Sequence, residues 1–117
     1  MGRSQSANFE TPVADEMTRH FTIQPEAAEE ANEAFNWYED QQRGLGGEFY
    51  RELSRCLEHL AERPLMARVV YRGLRKRKVD RFPYLVVYRV TNDELAVVSV
   101  FHGSRNPMLW KKRAKKP

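Results

Sequence analysis

Val79-Asp80-Arg81-Phe82-Pro83-Tyr84-Leu85-Val86-Val87-Tyr88-Arg89-Val90-Thr91-Asn92-Asp93-Glu94-Leu95-Ala96-Val97-Val98-Ser99-Val100-Phe101-His102 is the stretch on which the fold turns. Two runs rich in β-branched and aromatic residues, Leu85–Thr91 and Glu94–His102, flank Asn92-Asp93. Such side chains pack well on a pleated surface, and Asn and Asp tolerate the φ > 0 that a tight hairpin turn demands. The pattern therefore predicts a β-hairpin. Both runs are apolar on both faces for most of their length, which predicts strands inside a sheet, covered on at least one side.

The residues upstream supply the cover. Leu74–Arg81 reads as a third strand, making a meander with Tyr84–Thr91 and Glu94–His102, and Arg68–Tyr71 reads as its lead-in across Gly73. From Pro25 to about Gln42, Ala27, Ala31, Ala34, Phe35 and Tyr38 recur at helical spacing. Pro25 suits a first turn, where its missing N–H has no partner to lose, and Glu26, Glu29 and Glu30 suit the positive end of the helix dipole. Trp37 lies off the stripe and reads as a partly exposed edge contact. A second helix, Leu45–Glu62, carries the stripe Leu45, Phe49, Leu53, Cys56, Leu57 and Leu60, which makes Cys56 a buried structural thiol. Arg43-Gly44-Leu45-Gly46-Gly47 is too short a joint for anything but an antiparallel helical hairpin. Arg19–Ile23, ended by Gln24-Pro25, reads as a first strand. The expected class is α+β in the order β-α-α-β-β-β, with the helical hairpin on one face of a small, mostly antiparallel sheet. The expected domain covers residues 18–110, between a flexible tail over 1–17 and a basic tail over 111–117.

Composition narrows the function classes. At 117 residues the chain holds one modest core. It has no apolar run long enough to span a membrane and no secretory leader, so a cytoplasmic setting is expected. The single cysteine excludes an internal disulfide, and no Cys/His cluster offers a zinc site, so neither metal nor cofactor is expected. The net charge of +4 hides an asymmetry: residues 1–62 carry 5 Lys/Arg against 13 Asp/Glu, and residues 63–117 carry 15 against 3. Such a division invites an anionic partner on one side, unless helix and strand charges pair internally. Arg75-Lys76-Arg77-Lys78 meets no acid until Asp80.

Several pieces in this order resemble the toxins of the ParE/RelE superfamily of bacterial toxin–antitoxin pairs. The most specific are Arg81-Phe82-Pro83-Tyr84-Leu85-Val86-Val87-Tyr88-Arg89-Val90, then Val98 to Pro107 and Trp110. Trp37-Tyr38, Gly44-Leu45-Gly46 and Phe49 support them, and the likeness spans about Phe21 to Arg113. The resemblance implies a small basic toxin held inactive by a cognate antitoxin. It also implies one of two targets: ParE-like members poison DNA gyrase, and RelE-like members cut messenger RNA in the ribosome without metal.

Metal-free RNA cleavage needs a general base, a general acid and cations on the phosphate. His102 is the group near the last strand's end that titrates close to neutral pH, and Arg81 and Arg105 flank it if the strand ends converge. These three are the catalytic candidates of the RelE-like reading. A His at a strand end also serves as a structural hydrogen-bonder, and basic residues on a strand guard an edge against aggregation. Arg89, between apolar neighbours, is expected to pair with a helix carboxylate such as Glu33. The chain departs from the nuclease pattern in having no tyrosine after Tyr88, and only Asp80 as an acid in the basic strand. The ParE-like branch is therefore favoured. Arg75, Lys76, Arg77 and Lys78, with Trp110, Lys111, Lys112 and Arg113, are the residues expected to bind target or antitoxin. The antitoxin is expected to lay an acidic helix or strand over the basic strand and the hairpin. A plain nucleic-acid-binding module, with Trp110 as a stacking residue, comes third, because no such motif is present.

Overall fold

The computed structural model describes residues 20–114, so the expectations for residues 1–17 and 115–117 lie outside it. The elements are β1 (His20–Ile23), α1 (Pro25–Gln41), α2 (Leu45–Glu62), β2 (Val69–Tyr71), β3 (Leu74–Lys78), β4 (Tyr84–Val90), β5 (Glu94–His102) and a short α3 (Met108–Lys111). The sheet order is β1-β5-β4-β3-β2. β1 runs parallel to β5 and the other neighbours are antiparallel, so the expected α+β layout of two helices on a mostly antiparallel sheet is the one observed.

The β4–β5 hairpin forms with Val90 opposite Leu95, but its turn is closed otherwise than expected. Among the described residues the non-glycine residues at positive φ are Arg72 and Arg81, so neither Asn92 nor Asp93 adopts it. Instead Thr91 N–H donates to the Glu94 carbonyl at 2.8 Å, and Thr91 Oγ1 accepts from Glu94 N–H at 3.1 Å. The left-handed turn falls at Arg72 (φ 44°) and Gly73 (φ 81°). Two such residues reverse the chain tightly. Val69–Tyr71 is thereby a strand of its own on β3, with Tyr71 opposite Leu74, rather than a lead-in. β3 also ends at Lys78, short of the expected Arg81. Val79 N–H turns back to the Tyr84 carbonyl at 2.9 Å, and Arg81 sits at φ 70°. That conformation costs an L-residue roughly 1–2 kcal/mol.

The helix-covered face holds the main core. Ala27, Ala31, Ala34 and Tyr38 from α1 and Phe49, Leu53, Leu57 and Leu60 from α2 pack on Val86, Tyr88, Leu95, Val97 and Val100. Cys56 lies among them, and burial pushes its thiol up to about 11, an inert state. The helices cross closely at Gly46, where a Cβ would stand 2.7 Å from the Phe35 carbonyl oxygen and 2.9 Å from Glu39 Oε1. Glu39 caps the start of α2 by accepting from Gly44 N–H at 2.9 Å and Gly46 N–H at 3.0 Å. On the opposite face, Leu74, Val87, Val98, Phe101 and Trp110 form a smaller cluster. Arg89 stands opposite Leu74 in the ladder and so lies on this second face. It is turned away from α1, the expected pairing with Glu33 is not made, and its Nη1 is buried without a hydrogen-bond partner.

Candidate functional site

α1 crosses the sheet beside the first rung of the β4–β5 ladder, where Tyr84 faces His102. The crossing leaves a cleft of about 600 Å³ whose walls include Glu33, Trp37 and Tyr38 from α1, Tyr84 from β4, and His102 and Arg105 from the end of the chain's last long strand. His102 is held in place: Nδ1 accepts from Ser104 N–H at 3.0 Å and lies 2.8 Å from Ser104 Oγ. Its ring meets Tyr84 edge-on at 5.3 Å. With Nδ1 an acceptor, the neutral imidazole carries its proton on Nε2. Burial raises the Tyr84 phenol's pKa; Arg105 opposes the rise, and Glu33 and Glu30 add to it. Burial, then Tyr84, raises Tyr38 too. Both phenols are thus neutral hydroxyls near pH 7, donors rather than bases. Trp37 is exposed, as its position off the apolar stripe suggests, and stands edge-on to Tyr38 at 5.2 Å.

Below the cleft lies a polar clamp. β1 pairs with β5 only as far as Val97, so the next stretch of β5 edge needs other partners. Glu30 accepts from Val100 N–H at 3.0 Å and Ser99 Oγ–H at 2.9 Å. Arg113 donates to both Glu30 oxygens at 3.0 Å and to the Val98 carbonyl at 2.8 Å. Two side chains thereby complete the edge as a strand would, and a bidentate guanidinium suits the carboxylate. Trp110 is 2% exposed, packed against Phe101 and Tyr71, and Lys111 sits over the Tyr71 ring at 5.0 Å. Trp110 is therefore part of the fold's second face and Arg113 of the sheet edge, while Lys112 is exposed.

The basic strand divides by face. Arg75 and Arg77 stand opposite Tyr88 and Val86, on the helix side. Arg75 donates to the Leu65 and Ala67 carbonyls, and Arg77 approaches His59 Nδ1 at 3.4 Å. Lys76 stands exposed on the other side, opposite Val87. Lys78 folds back onto the Val79 and Phe82 carbonyls at 3.0 and 3.2 Å. Arg81 reaches α2, pairing with Glu48 at 2.9 Å and Glu52 at 3.5 Å. It does not line the cleft, so of His102, Arg81 and Arg105 only His102 and Arg105 come together there. Glu30, Glu33 and Tyr84 went unread as cleft residues. A signal existed, for Glu30, Glu33, Ala34 and Trp37 recur at helical spacing beside the apolar stripe.

The architecture and the cleft define a small α+β domain with two carboxylates, one guanidinium and neutral phenols in one recess. The family model described as the ParE toxin of the type II toxin–antitoxin system, parDE, matches residues 21–107, and the chain belongs to that family. Among solved structures, one described as the chromosomal ParDE toxin–antitoxin system from P. aeruginosa is similar with a TM-score of 0.66 and 12% identity, covering 73% of this chain and 96% of that one. At this identity the likeness speaks for the fold alone. A search of curated proteins gave no match.

Proposed function

We propose that this ParE-family chain arrests bacterial growth as a binder, trapping DNA gyrase in the cytoplasm, and that a cognate antitoxin neutralises it. Membership of the ParE toxin family over residues 21–107 supports the toxin reading. The observation that carries the choice of binder over nuclease is the dispersal of the cations a phosphate would need. Arg81 is bonded to α2 carboxylates, Lys78 to backbone carbonyls and Arg113 to Glu30. The cleft that holds His102 brings one guanidinium, Arg105, against Glu30 and Glu33. Glu30 is already paired with Arg113, and Glu33 offsets Arg105, so the cleft has no surplus cation for an RNA phosphate, whereas neutral phenols and an exposed Trp37 suit a protein side chain.

The RelE-like alternative, a metal-independent endoribonuclease acting on ribosome-bound messenger, is favoured by one feature, the meeting of His102 and Arg105 in that cleft. Expression in growing cells separates the two. A gyrase poison produces chromosome breaks with messenger ends unchanged. Ribosome-dependent messenger cuts that disappear in a His102→Ala chain would replace the binder with the nuclease.

A further inference from the structure

Glu33, Tyr38, Tyr84, His102 and Arg105 line the cleft beside α1, and each carries a polar side-chain group with no hydrogen-bond partner among the described residues. For His102 that group is Nε2, since Nδ1 is held by Ser104. Glu30 differs: Arg113 takes both of its oxygens, and Ser99 and Val100 share Oε1. Glu33 and Arg105 thus carry opposite charges in one recess, and neither forms an ion pair with any described residue. Both charges act on the Tyr84 hydroxyl, in opposite senses. A lone cation in the recess meets repulsion from Arg105, and a lone anion meets it from Glu33. A small molecule carrying both charges satisfies both. The volume of about 600 Å³ falls in the range of small-molecule pockets. Trp37, 58% exposed and edge-on to Tyr38, gives the recess an aromatic wall open to solvent.

We infer that this cleft binds a free α-amino acid with an aromatic side chain, its carboxylate on Arg105 and its ammonium on Glu33. A guanidinium holds a carboxylate through two parallel N–H donors, and Tyr84 O–H and His102 Nε2–H are further donors in the same recess. The ammonium is drawn to Glu33 and to the ring face of Trp37. The ligand's own ring packs on Trp37 and Tyr38 as aromatic pairs do, edge-on or offset. This site goes beyond the toxin reading and does not rest on it, because binding is a property of the isolated chain.

The test is calorimetric titration of the full chain with three compounds of one shape. L-Phenylalanine carries both charges, 3-phenylpropionate lacks the ammonium, and phenethylamine lacks the carboxylate. Tryptophan emission gives a second signal, since Trp37 is exposed and Trp110 is buried. Phenylalanine is expected to bind saturably, and each analogue about fivefold or more weakly, the loss of one charge-assisted contact. Glu33→Gln should bring phenylalanine down to the level of 3-phenylpropionate without weakening that acid. Arg105→Gln should bring it down to the level of phenethylamine without weakening that amine. Both side chains are exposed, so both variants should keep the unfolding midpoint of the parent chain. If a variant unfolds, the three compounds on the unaltered chain still decide the matter. No saturable heat, equal affinity for the three compounds, or phenylalanine binding unchanged in both variants would each overturn the inference. Gyrase trapping is read separately, so failure of either leaves the other standing.

Discussion

Arg75-Lys76-Arg77-Lys78 and Lys111-Lys112-Arg113 look alike as sequence, two basic clusters in the positive half of the chain, and the fold uses them differently. Arg113 is spent on Glu30 and the Val98 carbonyl, 83 and 15 residues away, and closes an edge of the sheet. The β3 cluster finds no carboxylate among the described residues; two of its members cap backbone carbonyls, and Lys76 faces solvent. Charge in the first place holds the domain together, and in the second is left over for something else. The sequence asymmetry is thus settled in part by pairing between the halves, through Arg81 with Glu48 and Arg113 with Glu30, and in part not at all.

Removing the C-terminal contacts breaks that comparison most strongly. Trp110→Ala strips the lid from the second face and is expected to destabilise by about 3–5 kcal/mol, read from denaturant midpoints. Arg113→Ala leaves Glu30 without its guanidinium and the Val98 carbonyl without a donor, at about 2–3 kcal/mol. Deleting Lys111–Pro117 would therefore damage the fold, and lost toxicity in that variant would say nothing of partner contacts.

The helix side of the basic strand is probed by alkali. Burial raises the Cys56 thiol from an ordinary 9.0 to about 11, with Arg77 pulling the other way. The unfolded chain loses this proton first as pH rises. The contribution is complete below about pH 9 and is lost between about 9 and 11, on the order of 1–2 kcal/mol. A Cys56→Ala chain should show a shallower decline of unfolding free energy across that window. The smallest stability effect belongs to Arg68→Glu/Arg72→Glu. These exposed cations make no ion pair among the described residues, so the midpoint should move by less than about 0.5 kcal/mol while antitoxin binding falls. A large midpoint shift in that variant would erase the distinction between structural and surplus charge. Arg75 and Arg81 are poorer choices, since each already holds backbone or α2 in place.

Periodicity carries the helices and the central hairpin from sequence to structure, because apolar spacing of 3.6 and runs of β-branched residues are local signals. The extent of α2, the burial of Cys56 and the strand ending at His102 follow from it. Turn chemistry is subtler. Asn92-Asp93 looked the better left-handed pair, yet Arg72-Gly73 took that role, since Gly73 needs no Cβ accommodation and Thr91 offered the other turn a hydroxyl. The start of α3 was written in Asn106-Pro107, where Asn106 Oδ1 accepts from Met108 N–H at 3.0 Å, and went unread. The partners of Arg81, Arg89 and Arg113 depend on which face each residue occupies after folding, and neither spacing nor composition encodes that. The cleft is half legible for the same reason: His102 and Arg105 are neighbours in sequence, while Glu33, Trp37 and Tyr84 reach them through the packing of α1 on the sheet.

The most direct measurement adds the purified, antitoxin-free chain to gyrase, ATP and supercoiled plasmid, and then denatures the protein to reveal DNA ends. Accumulation of linear plasmid with gyrase attached, undiminished when His102 is replaced by Ala but abolished by the antitoxin, is the result this account predicts. Intact plasmid at every toxin concentration, together with messenger cuts on translating ribosomes, would contradict it.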